Sequence, residues 1–281
     1  MQLLDGKALA DKIAANLKAR ISQMEVKPKL GIIIVGQDPS SLKYIDLKTK
    51  RAQEIGVEVE VHRLDENVEE REIKATIDEL SHNRSISGFF IQLPMPAKFN
   101  QEKILEYFPP FKDVDCISGT YFQNHFYQYQ SGEFLPAVVS AISKILESYQ
   151  ITVRGKHAVI INDSQLIGLP LFFYLRHLGA TCTLCNHKTA DLKTITQTAD
   201  ILISATGSKN LITSDMVREG SVVVDVSNGD VDFANVKDKT SFITPTFGSI
   251  GPMTIVCLLE NLVENHARLF KYRLDPEWFL D

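Results

Sequence analysis

The stretch LGIIIVGQDPSSLKYIDLKTKRAQEI, residues Leu30–Ile55, sets the pattern that the rest of the chain repeats. Its first six residues, Leu30–Val35, are apolar apart from one glycine and rich in isoleucine and valine, which indicates a buried strand. Gly36 and the pair Asp38-Pro39 then predict a turn, followed by a helix over about Ser41–Ile55. A buried strand that leads directly into a helix is typical of α/β folds.

The alternation of strand and helix continues through the 281 residues and breaks at a stretch with proline, aromatic residues and glycine, Pro109–Gly132. Strands that alternate with helices form parallel sheets covered on both faces. We therefore predict two doubly wound α/β domains, the second Rossmann-like, with a cleft between them. The other predicted strands are Val57–Leu64, Ile86–Leu93, His157–Ile161, Ala180–Cys185, Asp200–Ala205 and Ser221–Val226, and the other predicted helices are an amphipathic N-terminal segment, Val68–Ser81, Pro136–Tyr149, Ile167–Leu178 and a long helix from about Met253.

The break at Pro109–Gly132 also predicts the domain boundaries. Residues 1–135 form the first domain, which the C-terminal helix 253–281 completes, and residues 136–252 form the second. Ligands of such folds bind at the carboxyl ends of the strands, so we expect the functional residues there.

Composition excludes several classes of protein. A formal net charge of -5 argues against nucleic acid as the main partner, because neutralising phosphates requires surplus lysine and arginine. No apolar run reaches the roughly 20 residues that cross a bilayer, and the N-terminus does not have the features of a signal peptide, so we expect a cytoplasmic protein with no membrane partner. Four cysteines are too few for a disulfide framework. No group of His, Cys and Asp has the spacing of metal ligands, so we expect no metal.

Four polar residues stand out near the predicted strand ends of the first domain. Tyr44 and Lys48 lie four residues apart and share one helical face. Gln92 ends an apolar strand just before two prolines, and Asp115 lies in a loop beside Asp113. Lys48, Gln92 and the two aspartates have ordinary alternatives: a solvated charge for Lys48, an amide bonded to a loop for Gln92, and a capping or surface role for the aspartates.

Taken in order, the patterns Y-x-x-x-K (Tyr44–Lys48), Q-L-P-x-P (Gln92–Pro96) and K-D-V-D (Lys112–Asp115) resemble the folate site of the bifunctional methylenetetrahydrofolate dehydrogenase/cyclohydrolases. The resemblance extends from L-L-D-G-K (Leu3–Lys7) to G-P-M-T (Gly251–Thr254). It makes residues 1–135 the folate-binding catalytic domain and 136–252 the nucleotide-binding domain. The roles that it implies are catalytic acid/base for Lys48, tuning of that lysine for Gln92, binding of the pterin ring for Asp115, packing on the folate for Tyr44, and further substrate contacts for Ser41, Gly251 and Pro252.

The nucleotide site that the resemblance implies departs from the family pattern. Where the family has G-R-S-x-x-V-G-x-P, this chain has N-D-S-Q-L-I-G-L-P (Asn162–Pro170), so Asn162 replaces a glycine and Asp163 an arginine. In NADP-dependent relatives that arginine faces the 2′-phosphate of the ribose, which a carboxylate would repel, so we expect NAD rather than NADP. The cofactor contacts implied by the resemblance are Asp163, Ser164, Gly168, Asn186 and Ser227.

A second loop, T-P-T-F-G-S-I-G-P-M-T (Thr244–Thr254), also differs from the family pattern. Phe247 replaces a proline and Ser249 replaces a glycine. Because glycine permits the closest approach of backbone to ligand, the change at Ser249 disfavours such an approach in this loop.

The resemblance implies oxidation of 5,10-methylenetetrahydrofolate with NAD or NADP, followed by hydrolysis of the methenyl product. It also implies tetrahydrofolate derivatives as ligands and a homodimer. Because the acid/base residues are present while the nucleotide loops are altered, two alternatives stay open: a folate enzyme that has lost its dehydrogenase activity, and a non-catalytic relative that binds folate or a partner protein. An unrelated α/β dehydrogenase is a further alternative, since fold alone does not decide function.

Overall fold

The computed structural model describes residues 1–119 and 134–274, with side chains as far as residue 270. The chain forms two compact units, one of residues 1–11 and 126–254 and the other of residues 12–125 and 255–281. We name them the six-stranded unit and the three-stranded unit after their sheets. The predicted interdomain stretch beyond residue 119 and the predicted C-terminal helix beyond residue 274 lie outside the described residues.

Helices and strands alternate as the sequence predicts. The strands are β1 (Gln2–Leu3), β2 (Lys29–Val35), β3 (Glu58–Leu64), β4 (Gly88–Ile91), β5 (His157–Ile161), β6 (Thr181–Cys185), β7 (Ile201–Ser204), β8 (Val222–Asp225) and β9 (Phe242–Ile243). The helices are α1 (Gly6–Ser22), α2 (Pro39–Glu54), α3 (Glu70–His82), α4 (Gln101–Glu106), α5 (Ala137–Ser148), α6 (Gly168–His177), α7 (Leu192–Thr196), α8 (Phe233–Val236) and α9 (Ile250–Leu274). The predicted bounds agree with these to within three residues.

The three-stranded unit has a parallel sheet in the order β3-β2-β4. Its central strand β2 is buried along almost its whole length, and all four residues of β4 are buried. Two aromatic side chains of β4, Phe89 and Phe90, are among the largest fully buried groups of the described residues. Because β2 and β4 are covered on both faces, they read as continuous apolar runs in the sequence.

The six-stranded unit has a parallel sheet in the order β1-β9-β8-β7-β5-β6. This order runs outward from β5 in both directions, which makes the sheet doubly wound and Rossmann-like. Pairing of Gln2 with Phe242 and of Leu3 with Ile243 attaches the N-terminal strand to this sheet. Residues 1–11 therefore belong to this unit, whereas the sequence pattern groups them with the first domain.

No helix of residues 1–119 or 134–274 is long and apolar enough to span a membrane.

Candidate active site

The topology of the three-stranded sheet creates a site at the carboxyl ends of β2 and β4. The chain passes from β2 to β3 on one side and then to β4 on the other, so the strand order reverses between β2 and β4, where α/β sheets bind ligands. Helix α2 begins beside this point. Asp38 caps it, since its carboxylate accepts a 2.7 Å hydrogen bond from the N–H of Ser41.

Lys48 lies at the centre of this site. Its residue is only 4% exposed, so the predicted alternative of a solvated charge is wrong. The ammonium nitrogen donates a 3.3 Å hydrogen bond to Oε1 of Gln92 and lies 3.8 Å from a carboxylate oxygen of Asp115. It also lies 4.0 Å from the ring centroid of Phe90 and 4.8 Å from that of Tyr44. Two aromatic faces, an amide and a carboxylate thus surround one amine.

These surroundings change the ionisation of two groups. Burial lowers the pKa of Lys48, and the Asp115 carboxylate opposes this by favouring the ammonium form. Burial also raises the pKa of the Tyr44 phenol, with a smaller contribution from Asp115 in the same direction. A lysine with a lowered pKa has more of its neutral form near neutral pH, and in that form it accepts protons.

The loop that carries Asp115 is itself anchored in the interior. Asp113 is 3% exposed, and one of its carboxylate oxygens accepts a 2.7 Å hydrogen bond from the N–H of Ser118. Its other oxygen is buried and receives no hydrogen bond from residues 1–119 or 134–274, and desolvation raises the pKa of this carboxyl to about 6. The amide of Asn261 donates to the Val114 carbonyl at 2.9 Å. Asp115 therefore projects from a loop held at residues on both sides of it.

The other predicted substrate contacts lie in two places. Ser41 is buried in the first turn of α2 and precedes Tyr44 and Lys48 by three and seven residues, so the three share a helical face. Gly251 and Pro252 belong to the six-stranded unit and lie in the first turn of α9, each partly exposed. A Cβ atom at Gly251 would meet no atom of the described residues within 4 Å, so packing against that part of the chain does not require glycine there.

The six-stranded sheet reverses its order between β5 and β7, and the predicted nucleotide loop follows β5. Here Oδ1 of Asn162 accepts hydrogen bonds from the N–H of Ser164 at 2.9 Å, the Ser164 hydroxyl at 2.7 Å and the N–H of Gly168 at 3.1 Å. A Cβ atom at Gly168 would lie 1.8 Å from the Asn162 carbonyl oxygen. Only glycine therefore allows the start of α6 to lie this close to the end of β5.

The remaining predicted cofactor contacts lie in the loops after neighbouring strands. Asp163 is exposed after β5, and its carboxylate accepts a 2.7 Å hydrogen bond from the Asn186 amide after β6. The Ser227 hydroxyl after β8 accepts a 3.1 Å hydrogen bond from the N–H of Gly207 after β7. The structure thus brings the predicted residues to the carboxyl edge of one sheet, and it joins two of them, Asp163 and Asn186, by a hydrogen bond.

Two buried aspartates shape the loops after β7 and β8. Asp225 accepts from the N–H groups of Gly229 at 2.8 Å and Val231 at 3.1 Å, and burial raises the pKa of its carboxyl. Asp230 accepts from Ser204 and from both the N–H and the hydroxyl of Thr206. These contacts fix the two loops around carboxylates inside the unit.

The altered loop before α9 accommodates its two substitutions differently. Ser249 is 1% exposed and donates a 2.8 Å hydrogen bond to the Leu4 carbonyl, so its side chain is part of the interior packing. Phe247 is 75% exposed.

The sequence patterns do not predict the roles of two residues in these sites. Phe90 is an apolar residue in an apolar strand, which predicts only a core position, although its spacing of two from Gln92 places both on one strand face. Asn162 stands out only as a missing glycine, and nothing in the pattern predicts that its amide bonds four groups of the loops around it.

Comparison with known proteins identifies the family. Residues 4–115 match the catalytic domain of tetrahydrofolate dehydrogenase/cyclohydrolase, and residues 136–270 match its NAD(P)-binding domain. The bifunctional protein FolD of Thermodesulfovibrio yellowstonii is 40% identical over 279 residues, which cover 93% of this chain and 95% of that protein.

Solved structures agree. The crystal structure of the bifunctional enzyme FolD from Campylobacter jejuni has a TM-score of 0.91 at 39% identity and covers 95% of this chain and 99% of its own. The Trypanosoma brucei enzyme, solved in complex with NADP and an inhibitor, has a TM-score of 0.91 at 26% identity, covering 95% of this chain and 97% of its own. With both domains matched in sequence and in structure, the chain belongs to the tetrahydrofolate dehydrogenase/cyclohydrolase family.

Proposed function

We propose that this chain oxidises 5,10-methylenetetrahydrofolate to 5,10-methenyltetrahydrofolate with a nicotinamide cofactor and hydrolyses the product to 10-formyltetrahydrofolate. The observation that carries the proposal is the buried Lys48 amine between Gln92 and Asp115 in a chain of this family. A binding-only relative has no use for an amine whose pKa is lowered by burial, so the enzyme is favoured over the non-catalytic alternative.

Hydrolysis requires water to add to the electrophilic carbon between N5 and N10 of the methenyl compound. In this proposal neutral Lys48 takes the proton that the water loses as its oxygen bonds to that carbon. The resulting ammonium then protonates N5 as the bond between this nitrogen and the carbon breaks. The hydroxyl group on that carbon releases its proton to solvent as the formyl carbonyl forms on N10. Gln92 holds the amine in place through its hydrogen bond, and Asp115 binds the pterin ring.

The oxidation step requires a hydride acceptor, which a bound nicotinamide cofactor supplies. The residues of the six-stranded unit fit such a group. Its sheet has the doubly wound order with a reversal between β5 and β7, and Gly168 permits the tight turn from β5 into α6. Asp163, Ser164, Gly168, Asn186 and Ser227 are the residues that we expect to hold the cofactor.

Two assays of the purified protein test the proposal. We expect hydrolysis of methenyltetrahydrofolate well above the spontaneous rate without a nucleotide, and reduction of NAD that depends on methylenetetrahydrofolate. Hydrolysis without any nucleotide reduction would establish instead the enzyme that has lost dehydrogenase activity. If neither reaction exceeded its blank while folate still bound, the enzymatic proposal would be wrong.

The proposed cofactor is NAD in preference to NADP. Asp163 is exposed at the carboxyl end of β5, where a carboxylate repels a 2′-phosphate and accepts a hydrogen bond from a 2′-hydroxyl. Two charges about 4 Å apart interact by about 1 kcal/mol in water and about 4 kcal/mol at an effective dielectric constant near 20. The exposed Lys188 in the loop after β6 would attract the phosphate, but a flexible surface ion pair contributes about 1 kcal/mol or less.

Replacing the carboxylate tests this preference directly. Asp163→Arg is expected to raise the affinity for NADP, measured by calorimetry, by at least about tenfold relative to that for NAD. Asp238→Arg is the matched control. It makes the same charge change at an exposed residue before β9, at the amino-terminal ends of the strands rather than their carboxyl ends. Tighter binding of NADP than of NAD by the unmodified protein would overturn the preference.

We further propose a cytoplasmic homodimer, an expectation that rests on the family resemblance. Sedimentation of the purified protein at micromolar concentration tests the dimer, and a monomeric mass there would contradict it.

A further inference from the structure

The side chain of Asn162 makes four hydrogen bonds where the nucleotide loop begins. Its oxygen accepts from the N–H of Ser164, the hydroxyl of Ser164 and the N–H of Gly168, at 2.9, 2.7 and 3.1 Å. Its nitrogen donates to the carbonyl of Ala205 at 2.7 Å. Because three donors meet the oxygen and an acceptor meets the nitrogen, the network determines the orientation of the amide.

The position of this amide in the sheet matters as much as its bonds. Asn162 follows β5 and Ala205 follows β7, and these are the neighbouring strands between which the strand order reverses. The bond from Asn162 to Ala205 therefore joins the two sides of the crevice in which a doubly wound sheet binds its ligand. The bond to Gly168 joins the same amide to the start of α6.

The first turn of α6 uses its backbone donors internally. The N–H of Gly168 bonds to Asn162, that of Leu169 to the Ser164 carbonyl at 3.0 Å, and Pro170 has none. Helix α6 therefore lacks the free amides with which helix N-termini usually bind phosphates. Among the described residues no acceptor bonds the N–H groups of Asp163, Gln165 and Leu166. These loop amides remain as donors for an anionic ligand.

We propose that Asn162 is a positioning residue for the cofactor diphosphate. A glycine at position 162 would leave room for a bridging water, and a buried water molecule makes up to four hydrogen bonds. The Asn162 amide makes the same number and takes the place of that water. It holds the loop 163–167 in one conformation in which the three loop amides contact the diphosphate. A loop ordered before binding spends less of the binding free energy on ordering. This inference rests on the proposed use of a nicotinamide dinucleotide.

Two substitutions at Asn162 separate the parts of this role. Asn162→Ala removes all four bonds and is expected to raise the KM for NAD by roughly tenfold, since the loop must then be ordered on binding. The kcat of oxidation should stay within about twofold, because Asn162 does not touch the reacting atoms. Asn162→Asp keeps the acceptor but loses the donor to Ala205 and adds a negative charge beside the diphosphate, so its KM should be higher still. Asn235→Ala, at an exposed asparagine of the same unit, is the matched control.

Comparing the binding of NAD, ADP-ribose and adenosine shows whether the loss of affinity in Asn162→Ala depends on the diphosphate. By calorimetry, Asn162→Ala should weaken the binding of ADP-ribose by the same factor as that of NAD and leave the binding of adenosine unchanged. The hydrolysis of methenyltetrahydrofolate without nucleotide should also be unchanged. A KM for NAD within twofold of the unmodified value would overturn the proposal, and a lower KM would show that Asn162 obstructs the diphosphate instead.

Amide hydrogen exchange tests whether Asn162 orders the loop without requiring that the protein bind a nucleotide. In the ligand-free protein, Asn162→Ala should speed the exchange of the Ser164 and Gly168 amides by about tenfold relative to the Leu171 amide, which bonds within the turn to Ile167. If the unmodified protein bound no nicotinamide nucleotide, the proposed oxidation would fail, and the exchange experiment would still decide whether Asn162 orders the loop. Equal exchange in both proteins would refute that ordering.

Discussion

At the scale of single residues, the environment of Lys48 is dominated by the loss of water. Burial lowers its pKa, and the carboxylate of Asp115 restores only part of the preference for the charged form. The faces of Phe90 and Tyr44 attract the ammonium without supplying a proton acceptor. The amine is therefore held in one place while its proton remains exchangeable.

Replacing this amine should abolish hydrolysis and preserve the fold. Lys48→Met keeps most of the side-chain volume and removes a buried charge, so we expect no loss of thermal stability. The kcat for methenyltetrahydrofolate hydrolysis should fall by at least about 100-fold, the usual contribution of a general acid/base. Lys50→Met, at an exposed position of the same helix, is the control and should retain full activity. Retention of most of the activity by Lys48→Met would exclude the assigned role.

The pH dependence of hydrolysis should report on Asp115. Because its carboxylate raises the pKa of Lys48, Asp115→Asn should lower that pKa further. A base that works in its neutral form then becomes active at lower pH, so the acid limb of the pH–kcat profile should move to lower pH. Gln92→Ala removes an uncharged acceptor 3.3 Å from the amine and should produce a smaller shift in the same direction. An acid limb that moves upward in Asp115→Asn would contradict this account.

Asp113 should make the protein less stable at neutral pH than at mildly acidic pH. Its pKa is about 6 in the folded protein against 3.8 ordinarily, so the folded state binds its proton more readily than the unfolded state does. Stability from this group is therefore present below pH 4 and is lost as the pH rises through 6, by up to about 3 kcal/mol. Asp113→Asn should remove this dependence.

Denaturant unfolding at pH 4.5 and pH 7.5 measures the effect. The free energy of unfolding of Asp113→Asn minus that of the unmodified protein should be larger at pH 7.5 than at pH 4.5. Asp46→Asn, at an exposed position in the same unit, should show little difference between the two pH values. Equal effects of Asp113→Asn at both pH values would show that Asp113 titrates normally.

At the scale of helices and strands, the close contact of α6 with the end of β5 depends on one glycine. A Cβ atom at Gly168 would lie 1.8 Å from a backbone oxygen, which no side-chain rotation relieves. Gly168→Ala should destabilise the six-stranded unit by roughly 2–4 kcal/mol or prevent its folding. Gly251→Ala should leave thermal stability unchanged, because a Cβ there would meet no atom of the described residues within 4 Å. Equal melting temperatures for both variants would contradict the packing described here.

Periodicity predicts the long elements well and the short ones poorly. Strands such as β2 and β5 are continuous apolar runs, and their bounds agree with the prediction to within one residue. The two-residue strands β1 and β9 and the short helices α4, α7 and α8 are too short to produce a periodic pattern. Helix α9 begins at Ile250, before the predicted Met253, because a proline is tolerated in the first turn of a helix.

The candidate sites are predictable to the extent that strand ends mark them. Lys48, Gln92 and Asp115 follow from the sequence because each matches a family pattern. Gln92 also ends a predicted strand, whereas Lys48 lies on the helix after another strand and Asp115 lies in a loop. The burial of Lys48 does not follow, since lysines on helices are usually exposed. The bonds of Asn162 depend on the reversal between β5 and β7, which is a property of the tertiary fold.

At the scale of the whole molecule, the residues around Lys48 and the predicted cofactor loops are each built within one unit. The amine site uses residues of the three-stranded unit, and the loops after β5, β6, β7 and β8 belong to the six-stranded unit. Substitutions that change the cofactor loops are therefore expected to act on oxidation alone, whereas those that weaken folate binding around Lys48 are expected to act on both reactions. The net charge of -5 accords with small-molecule ligands for both sites.

The buried, low-pKa amine of Lys48 also has a consequence for chemical modification. Acylating reagents react with the neutral form of an amine, which a solvated lysine rarely adopts at neutral pH. Lys48 adopts it more readily, and its aromatic neighbours Tyr44 and Phe90 favour flat molecules beside it. An acylating reagent built on a folate analogue should therefore form a covalent amide at Lys48 in preference to surface lysines. Lys48 is thus a target residue for irreversible inhibitors.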